Sequence, residues 1–380
     1  MNDLAPIDSG TVLISNGQIT QVGTDVETLS DAHIIDAKGR VVMPAFVDCH
    51  THACWAGDRL DEWEQKQRGA TYLDILKSGG GIMSTVRDVR DASVDELAES
   101  LLNRLNWMLS EGTTACEVKS GYGLSTTDEL KMLDAIAIAS KSWAGRISPT
   151  ACIGHAKDSA VDDFVKQTIQ ETLPAVHEKY PAITIDAYTE DGAWSVDETV
   201  ALFEAAKALG HPLRIHADQF NALGMVETAI ELGALSVDHL EATQSESLSR
   251  LAKSNTMGVM LPCSGFHVDG RYGDGRAFID AGGSLAIATN VNPGSAPCLS
   301  MPMSIALAVR NLGITAAQAI TASTIHGAHL LGFTDIGTIE VGKRADLIML
   351  RHADERQLGY TFGGSHVDAV ICNGQLVTKR

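Results

Sequence analysis

No stretch of this sequence approaches the 18 or so consecutive apolar residues of a membrane span. The opening residues Met1-Asn2-Asp3-Leu4 carry neither the basic nor the apolar region of a secretory leader. Both absences point to a cytoplasmic protein. Positive charge is scarce: 29 Lys and Arg stand against 48 Asp and Glu, a formal charge of −19. That balance argues against a nucleic-acid backbone or an anionic membrane as partner, and a small anionic substrate then needs a local cation to hold it. The cysteines, seven in number, include no Cys-x-x-Cys pair, so they read as reduced, mostly buried thiols rather than a disulfide framework. The Gly79-Gly80-Gly81 run lacks the Gly-Lys-Ser/Thr ending of a phosphate loop. It reads as part of a long loop, residues 53 to about 90, that covers a pocket and keeps water out.

What is present is a chain of 380 residues, 44% hydrophobic and 20% charged, enough for a barrel-sized core with an appendage. Short strand-like pieces, Thr11-Val12-Leu13-Ile14, Gln18-Ile19-Thr20-Gln21-Val22 and His33-Ile34-Ile35-Asp36, occupy the first forty residues, the first two separated by Asn16-Gly17. The far end matches, with strands predicted over 345–350 and 368–377, the latter turning through Asn373-Gly374. An Asn-Gly step favours a tight hairpin turn. We read residues 1–43 plus 339–380 as a small β-sandwich domain built from both termini, and 44–338 as the main domain inserted between them.

Within that insert, apolar strand candidates recur at 43–49, 113–118, 146–153, 183–188, 212–216, 234–238, 256–261 and 284–289. Segments between them, such as Val94 to Leu109 and Val196 to Leu209, show apolar residues at helical spacing. Eight strands alternating with helices predict an α/β fold, a (β/α)₈ TIM-like barrel whose active site lies at the C-terminal ends of the strands. The chemistry-capable residues fall there. His50 and His52 follow the first strand, Glu117 and Lys119 the second, His155 the third and Glu190 the fourth; His216, His239 and Asn290 close the fifth, sixth and eighth.

Asp48-Cys49-His50-Thr51-His52 ends the apolar run Val41-Val42-Met43-Pro44-Ala45-Phe46-Val47. Two histidines one residue apart on an extended backbone point to the same side, so both imidazoles reach one ion, with His216 supplying a third nitrogen. Zinc takes imidazole and carboxylate ligands and, in catalytic sites, keeps one position for water. It lowers the pKa of that water to about 7 and polarises a carbonyl, which suits hydrolysis of an amide-like bond. The bland reading, that each histidine merely packs, is as good for any one of them alone and poor for the set.

Taken together, these residues resemble the metal-dependent amidohydrolase superfamily. The motifs that carry the resemblance are Asp48-Cys-His-Thr-His52, Ala56-Gly-Asp-Arg59, Gly79-Gly-Gly-Ile-Met-Ser-Thr85, Glu117-Val-Lys-Ser-Gly-Tyr-Gly-Leu124, His216-Ala-Asp-Gln219, Asp238-His-Leu-Glu241, Asn292-Pro-Gly-Ser295 and the closing Gly337-Thr-Ile-Glu-Val-Gly342-Lys-Arg-Ala-Asp346-Leu. More narrowly, they look like its histidine-degrading branch, which opens 4-imidazolone-5-propanoate to N-formimidoyl-L-glutamate. The resemblance implies one divalent metal, Zn²⁺ or iron, held by His50, His52, His216 and the residue at 290. It implies that Arg59 and Tyr72 grip the propanoate carboxylate, a task suited to the planar Arg fork. Tyr122, His155 and Gln219, with Asn292, Gly294 and Ser295 beside them, would contact the ring or the opening product. His239 would share proton transfer, and His155 and position 290 would complete the catalytic group. A homodimer is a further implication.

One position departs from the family. Where an aspartate is expected after the last strand, the chain has Asn290, whose carboxamide can offer oxygen to a metal but cannot accept a proton at neutral pH. Three accounts remain open: an exchange engineered to trap a ligand, a natural change with His239 or another group as base, or a protein that binds without turnover. A hydantoin or thiohydantoin with the same propanoate arm is the alternative substrate, because Arg59 and Tyr72 read only the arm. The late first strand, at Thr11, also suggests that the small domain lacks a strand usual in the family.

Overall fold

The computed structural model describes residues 1, 3–27, 30–70 and 80–379. Both Asn-Gly steps close hairpins: Asn16 and Gly17 have φ of 51° and 79°, Asn373 and Gly374 of 50° and 75°, the doubly left-handed turn whose twist suits the flanking strands. The first joins β1 (Thr11–Ser15) to β2 (Gln18–Gly23). The two turns also pack on each other, since a Cβ on Gly17 would meet Asn373 Oδ1 at 2.6 Å and one on Gly374 would meet Gly17 Cα at 2.9 Å. Glycine is needed there for closeness as well as for φ. The expected strand over His33–Asp36 does not form, and Ile34 is 67% exposed.

The apolar run 41–47 was expected to be one strand, and the structure divides it. Val42–Pro44 (β3) belongs to the small sheet and Phe46–Asp48 (β4) to the barrel. Ala45 is the crossing point: its N–H bonds to Asp346 O at 3.0 Å, whereas the next N–H, on Phe46, bonds to Gly112 O at 2.9 Å. Successive amides thus face partners in different sheets.

The barrel continues with β5 (Thr113–Lys119), β6 (Arg146–Gly154), β7 (Thr184–Thr189), β8 (Leu213–Ala217), β9 (Ser236–His239), β10 (Met257–Met260) and β11 (Leu285–Ile287). Neighbours in sequence are neighbours in the sheet, and all pairs are parallel. These strands overlap the eight predicted ones. β11 and β4 share no ladder. Beyond their ends, however, Asp48 accepts from Thr289 N at 3.1 Å and Thr289 Oγ1 at 2.6 Å, while Asn290 N bonds to His50 O and His52 N to Val291 O, at 3.1 and 2.9 Å. The ring is therefore closed at its C-terminal rim, among the residues expected to do chemistry.

Helices cover the outside. Val94–Ser110 and Val196–Ala208 each begin with a capping box, Ser93 with Glu96 and Ser195 with Glu198, in which two otherwise unmet backbone donors are satisfied reciprocally. The expected loop over 53–90 is partly helical instead, at Leu60–Gln67 and Ile82–Asp91; just ahead of the first of these, Asp58 Oδ1 accepts from Leu60 N at 3.0 Å. The small sheet comprises β3, β12 (Leu347–Leu350), β13 (Val367–Cys372) and β14 (Gln375–Lys379), in the order β14-β13-β12-β3. The β1–β2 hairpin packs on it through Ile19 against Ala345 and Leu347. All seven cysteines are free, six of them buried. Among the described residues, no helix is long and apolar enough to cross a membrane.

Candidate active site

β4, β8 and β9 deliver imidazoles to one rim. His50 and His52 follow β4, His216 lies in β8 and His239 closes β9, and all four are buried. Ring centroids are 4.5 Å apart for His50 and His216, 5.1 Å for His52 and His216, and 5.7 Å for His216 and His239. His239 and Leu240 have φ of 93° and 71°, strained values for residues with side chains. The backbone thus turns sharply where it presents the ring. Backbone strain of this kind concentrates at functional sites.

Beneath the histidines lies a buried charge network. Asp238 Oδ2 is 2.6 Å from His50 Nδ1, and Asp186 Oδ1 is 3.0 Å from His216 Nδ1. Asp186 also accepts from Lys119 Nζ, which donates to Glu117 Oε1 at 2.9 Å. Arg214 joins Glu117 to Asp238, at 2.7 and 2.6 Å. Burial opposes the charge of Lys119, but Asp186 and Glu117 outweigh it and hold the amine above its ordinary range. Burial likewise opposes the Asp186 carboxylate, and His216 and Lys119 together keep it below the usual range. Each aspartate fixes an Nδ1 proton and leaves the far ring nitrogen with its lone pair.

The glycine-flanked turn after β5 carries Tyr122. Glu129 accepts from three of its amides, Gly121, Gly123 and Leu124, at 2.9, 2.8 and 2.9 Å. Arg90 donates to the carbonyls of Gly123 and Leu124 at 2.9 and 3.0 Å. The turn is gripped through donors and acceptors alike. Its Gly121 carbonyl pairs with His155 Nδ1 at 2.9 Å, and the His155 ring stacks on His52 with centroids 4.6 Å apart. Burial lowers the pKa of His155 to about 3, so the ring is neutral. Tyr122, 5.1 Å from His155 between centroids, is pushed up by burial and keeps its phenolic proton.

Other expected residues differ in placement. Arg59 sits at the rim, where a Cβ on Gly294 would come within 3.1 Å of its Nη1. Gln219 accepts from Tyr188 OH at 2.9 Å. Asn292 spends its carboxamide on its own turn, accepting from Gly294 N and Ser295 N at 2.8 and 2.7 Å and donating to Asn290 O at 2.6 Å. Asn290, with φ of 56°, is buried beside His50. Glu190 braces the loop after β8, accepting from Phe220 N at 2.8 Å and from Asn221 Nδ2 at 2.7 Å. Tyr72 and Gly79 lie outside the described residues.

The donor set suits a metal ion. His50 Nε2 and His52 Nδ1 are buried without a hydrogen-bond partner. His52 Nε2 and His216 Nε2 are 3.0 Å apart, close to the roughly 3.3 Å between two imidazole nitrogens on one tetrahedral zinc. Among the described residues, ligand atoms of His50, His216 and His239 lie within 4.8 Å of one another, as do those of Cys152, Asp186 and His216. The second set is less available, because burial keeps the Cys152 thiol protonated and Asp186 already has two partners. Burial holds His50, His52 and His216 below their ordinary pKa, so their lone pairs are free at neutral pH. His239, expected only to carry protons, thus also stands within ligand range.

Reading the sequence alone missed Asp186, Arg214, Arg90 and Glu129. Asp186 and Arg214 had a signal: each is a charged residue within an apolar strand, which burial permits only with a partner. Arg90 and Glu129 had none, being polar positions on helices.

Comparison with known proteins agrees with this architecture. The Amidohydrolase family profile matches residues 41–377. The chain is 42% identical over 391 residues to an imidazolonepropionase from Herpetosiphon aurantiacus, covering 99% of this chain and 92% of that one. It is 41% identical to the imidazolonepropionase of Deinococcus radiodurans, covering 98% and 93%. Among solved structures, atrazine chlorohydrolase from Arthrobacter aurescens, complexed with zinc, superposes with a TM-score of 0.75 at 19% identity, covering 97% and 90%.

Proposed function

Since the chain belongs to the amidohydrolase family, and within it to the imidazolonepropionases, we infer that it hydrolyses 4-imidazolone-5-propanoate to N-formimidoyl-L-glutamate. The observation that carries this reading is the convergence of four buried imidazoles on a barrel rim that also presents Arg59.

His50, His52 and His216 are the residues we assign to a divalent ion, with the Asn290 amide oxygen as a further donor; imidazole suits zinc and iron alike. Such an ion, when bound, polarises the ring carbonyl and lowers the pKa of water. Asp238 and Asp186 fix the ring orientations of His50 and His216. His239 points its Nδ1 at Glu241, whose oxygens lie at 3.1 and 3.2 Å, so its Nε2 is the atom that takes the proton of the attacking water. The same nitrogen returns it to the ring nitrogen as the carbon–nitrogen bond breaks. His155, with its Nδ1 proton given to Gly121, accepts from a ring N–H, and Tyr122 donates. Arg59 binds the propanoate carboxylate with its planar fork. Asn290 contributes no base.

The test is loss of imidazolone ultraviolet absorbance on incubation with metal-loaded protein. Silence from both the chain and its Asn290→Asp variant would overturn the reading. Asn290 also favours a second one, a ligand-binding protein on the same scaffold: tight binding by calorimetry without product, in excess Zn²⁺ or Fe²⁺, would support it. A hydantoin or thiohydantoin propanoate is the alternative substrate, decided by comparing rates. The same family membership supports a cytoplasmic homodimer acting in histidine degradation, checked by sedimentation for its oligomeric state.

A further inference from the structure

Arg59 does not present its whole guanidinium to the site. Its Nε donates to Glu62 Oε2 at 2.7 Å and its Nη2 to Glu62 Oε1, so one edge is already taken by a carboxylate of the chain itself. Of the five guanidinium N–H bonds, Glu62 accepts from two, leaving both protons of Nη1 and one of Nη2, which is enough for a bidentate contact with a second carboxylate. That free end is turned to the Asn292–Ser295 turn, where Gly294 lies so close that a Cβ would meet Nη1 at 3.1 Å and Cζ at 3.7 Å. Glu62 Oε2 also accepts from Gly81 N at 2.9 Å, tying the pair to the start of the helix Ile82–Asp91. The helix that carries Glu62 has no buried residue. It is held by contacts such as these and by Trp63, which stacks on His267 with centroids 4.5 Å apart and planes at 22°.

We infer that Glu62 is a positioning residue for carboxylate recognition: it clamps the inner edge of Arg59 so that the remaining edge is fixed toward the Gly294 turn, ready for the acidic arm of the substrate. The inference rests on the reading above of Arg59 as the carboxylate grip. A free Arg at a rim spreads over many rotamers and must be ordered by each incoming ligand. One already paired with Glu62 and covered to 12% side-chain exposure is ordered beforehand. The device also favours one carboxylate of modest reach, because a bulkier anion meets the Gly294 backbone.

The experiment uses the metal-loaded full chain, in the background that shows turnover, with 4-imidazolone-5-propanoate and its propanamide as paired substrates. Glu62→Ala is expected to raise KM for the propanoate about tenfold while kcat stays within about twofold, and to leave kcat/KM for the propanamide within about twofold. Glu62→Gln, which keeps one acceptor of the two, is expected to fall between. An unchanged or lowered propanoate KM in Glu62→Ala overturns the inference, as does an equal loss on both substrates, which would mark a general structural role. Arg59→Ala is the reference: if it leaves the propanoate KM unchanged, the carboxylate reading of Arg59 fails first and Glu62 falls with it.

Discussion

Asp238 Oδ2 stands 2.6 Å from His50 Nδ1 and 2.6 Å from Arg214 Nη2, so one buried oxygen ties a candidate metal ligand to the cation that balances the network beneath it. An amide is neutral and has a single oxygen, so if that oxygen accepts from His50 and Arg214, the hydroxyl of Ser236, which donates to the other carboxylate oxygen, meets an N–H instead. Asp238→Asn should therefore weaken metal binding about 10–100-fold, as loss of a carboxylate behind a ligating histidine does, and cost about 3 kcal/mol because Arg214 loses one of the two carboxylates bonded to it. Competition with a chelator measures the first, and denaturant unfolding of the metal-free protein the second. Unchanged metal affinity would remove Asp238 from the site.

Asn290 sits at φ of 56°, a conformation that asparagine and aspartate both tolerate. Asn290→Asp is therefore expected to leave the thermal midpoint within a degree or two while raising kcat roughly 10²–10³-fold, the ordinary worth of a placed proton acceptor. Imidazolone absorbance under saturating substrate reads the result. A variant no faster than its parent would mean that His239, paired with Glu241, suffices as base without a carboxylate at 290.

The barrel was readable because its eight strands are short apolar runs, and the candidate ligand histidines because each lies at the end of such a run. Two features escaped. The run 41–47 looks like one strand from its side chains alone, and what divides it is the backbone: the Ala45 and Phe46 amides face different sheets, a tertiary fact. The grip of Glu129 and Arg90 on the Tyr122 turn escaped for a related reason. Both lie in amphipathic helices where a charged residue ordinarily faces water, yet Glu129 is 1% exposed. Pattern reports which face is apolar; it does not report which polar group is folded inward to satisfy a loop.

Glu129 offers a stability test with a pH signature. Glu129→Ala leaves the amides of Gly121, Gly123 and Leu124 without their acceptor, a loss of about 3 kcal/mol if water meets some of them. Burial raises the folded-state pKa of Glu129, against the bonds from the three amides. A carboxyl raised on folding binds its proton more tightly when folded, so its contribution is fully present below the unfolded pKa and is lost as pH rises through the folded one. Glutamine does not titrate. The stability difference between the parent and Glu129→Gln should accordingly shrink as pH rises above about 4, the unfolded-state pKa of a glutamate, read from urea midpoints. A difference that grows across that range would show the carboxylate to be stabilised instead.

Gly121 joins that turn to His155. Its φ is 116°, and a Cβ there would lie 2.9 Å from His155 Nδ1 and 3.0 Å from Cys152 O. The added methyl would push the imidazole from the carbonyl that fixes its tautomer, while the backbone would resist a conformation that side chains avoid. Gly121→Ala should cost about 1–3 kcal/mol through strain and lower kcat/KM about 10²-fold through misplacement of His155 and Tyr122. Affinity for the metal should hold, since His50, His52 and His216 take their positions from other strands. Thermal melting, steady-state kinetics and metal titration on the one variant separate these effects. If activity survives intact with stability reduced, His155 does not need the Gly121 carbonyl, and its place in the mechanism goes with it.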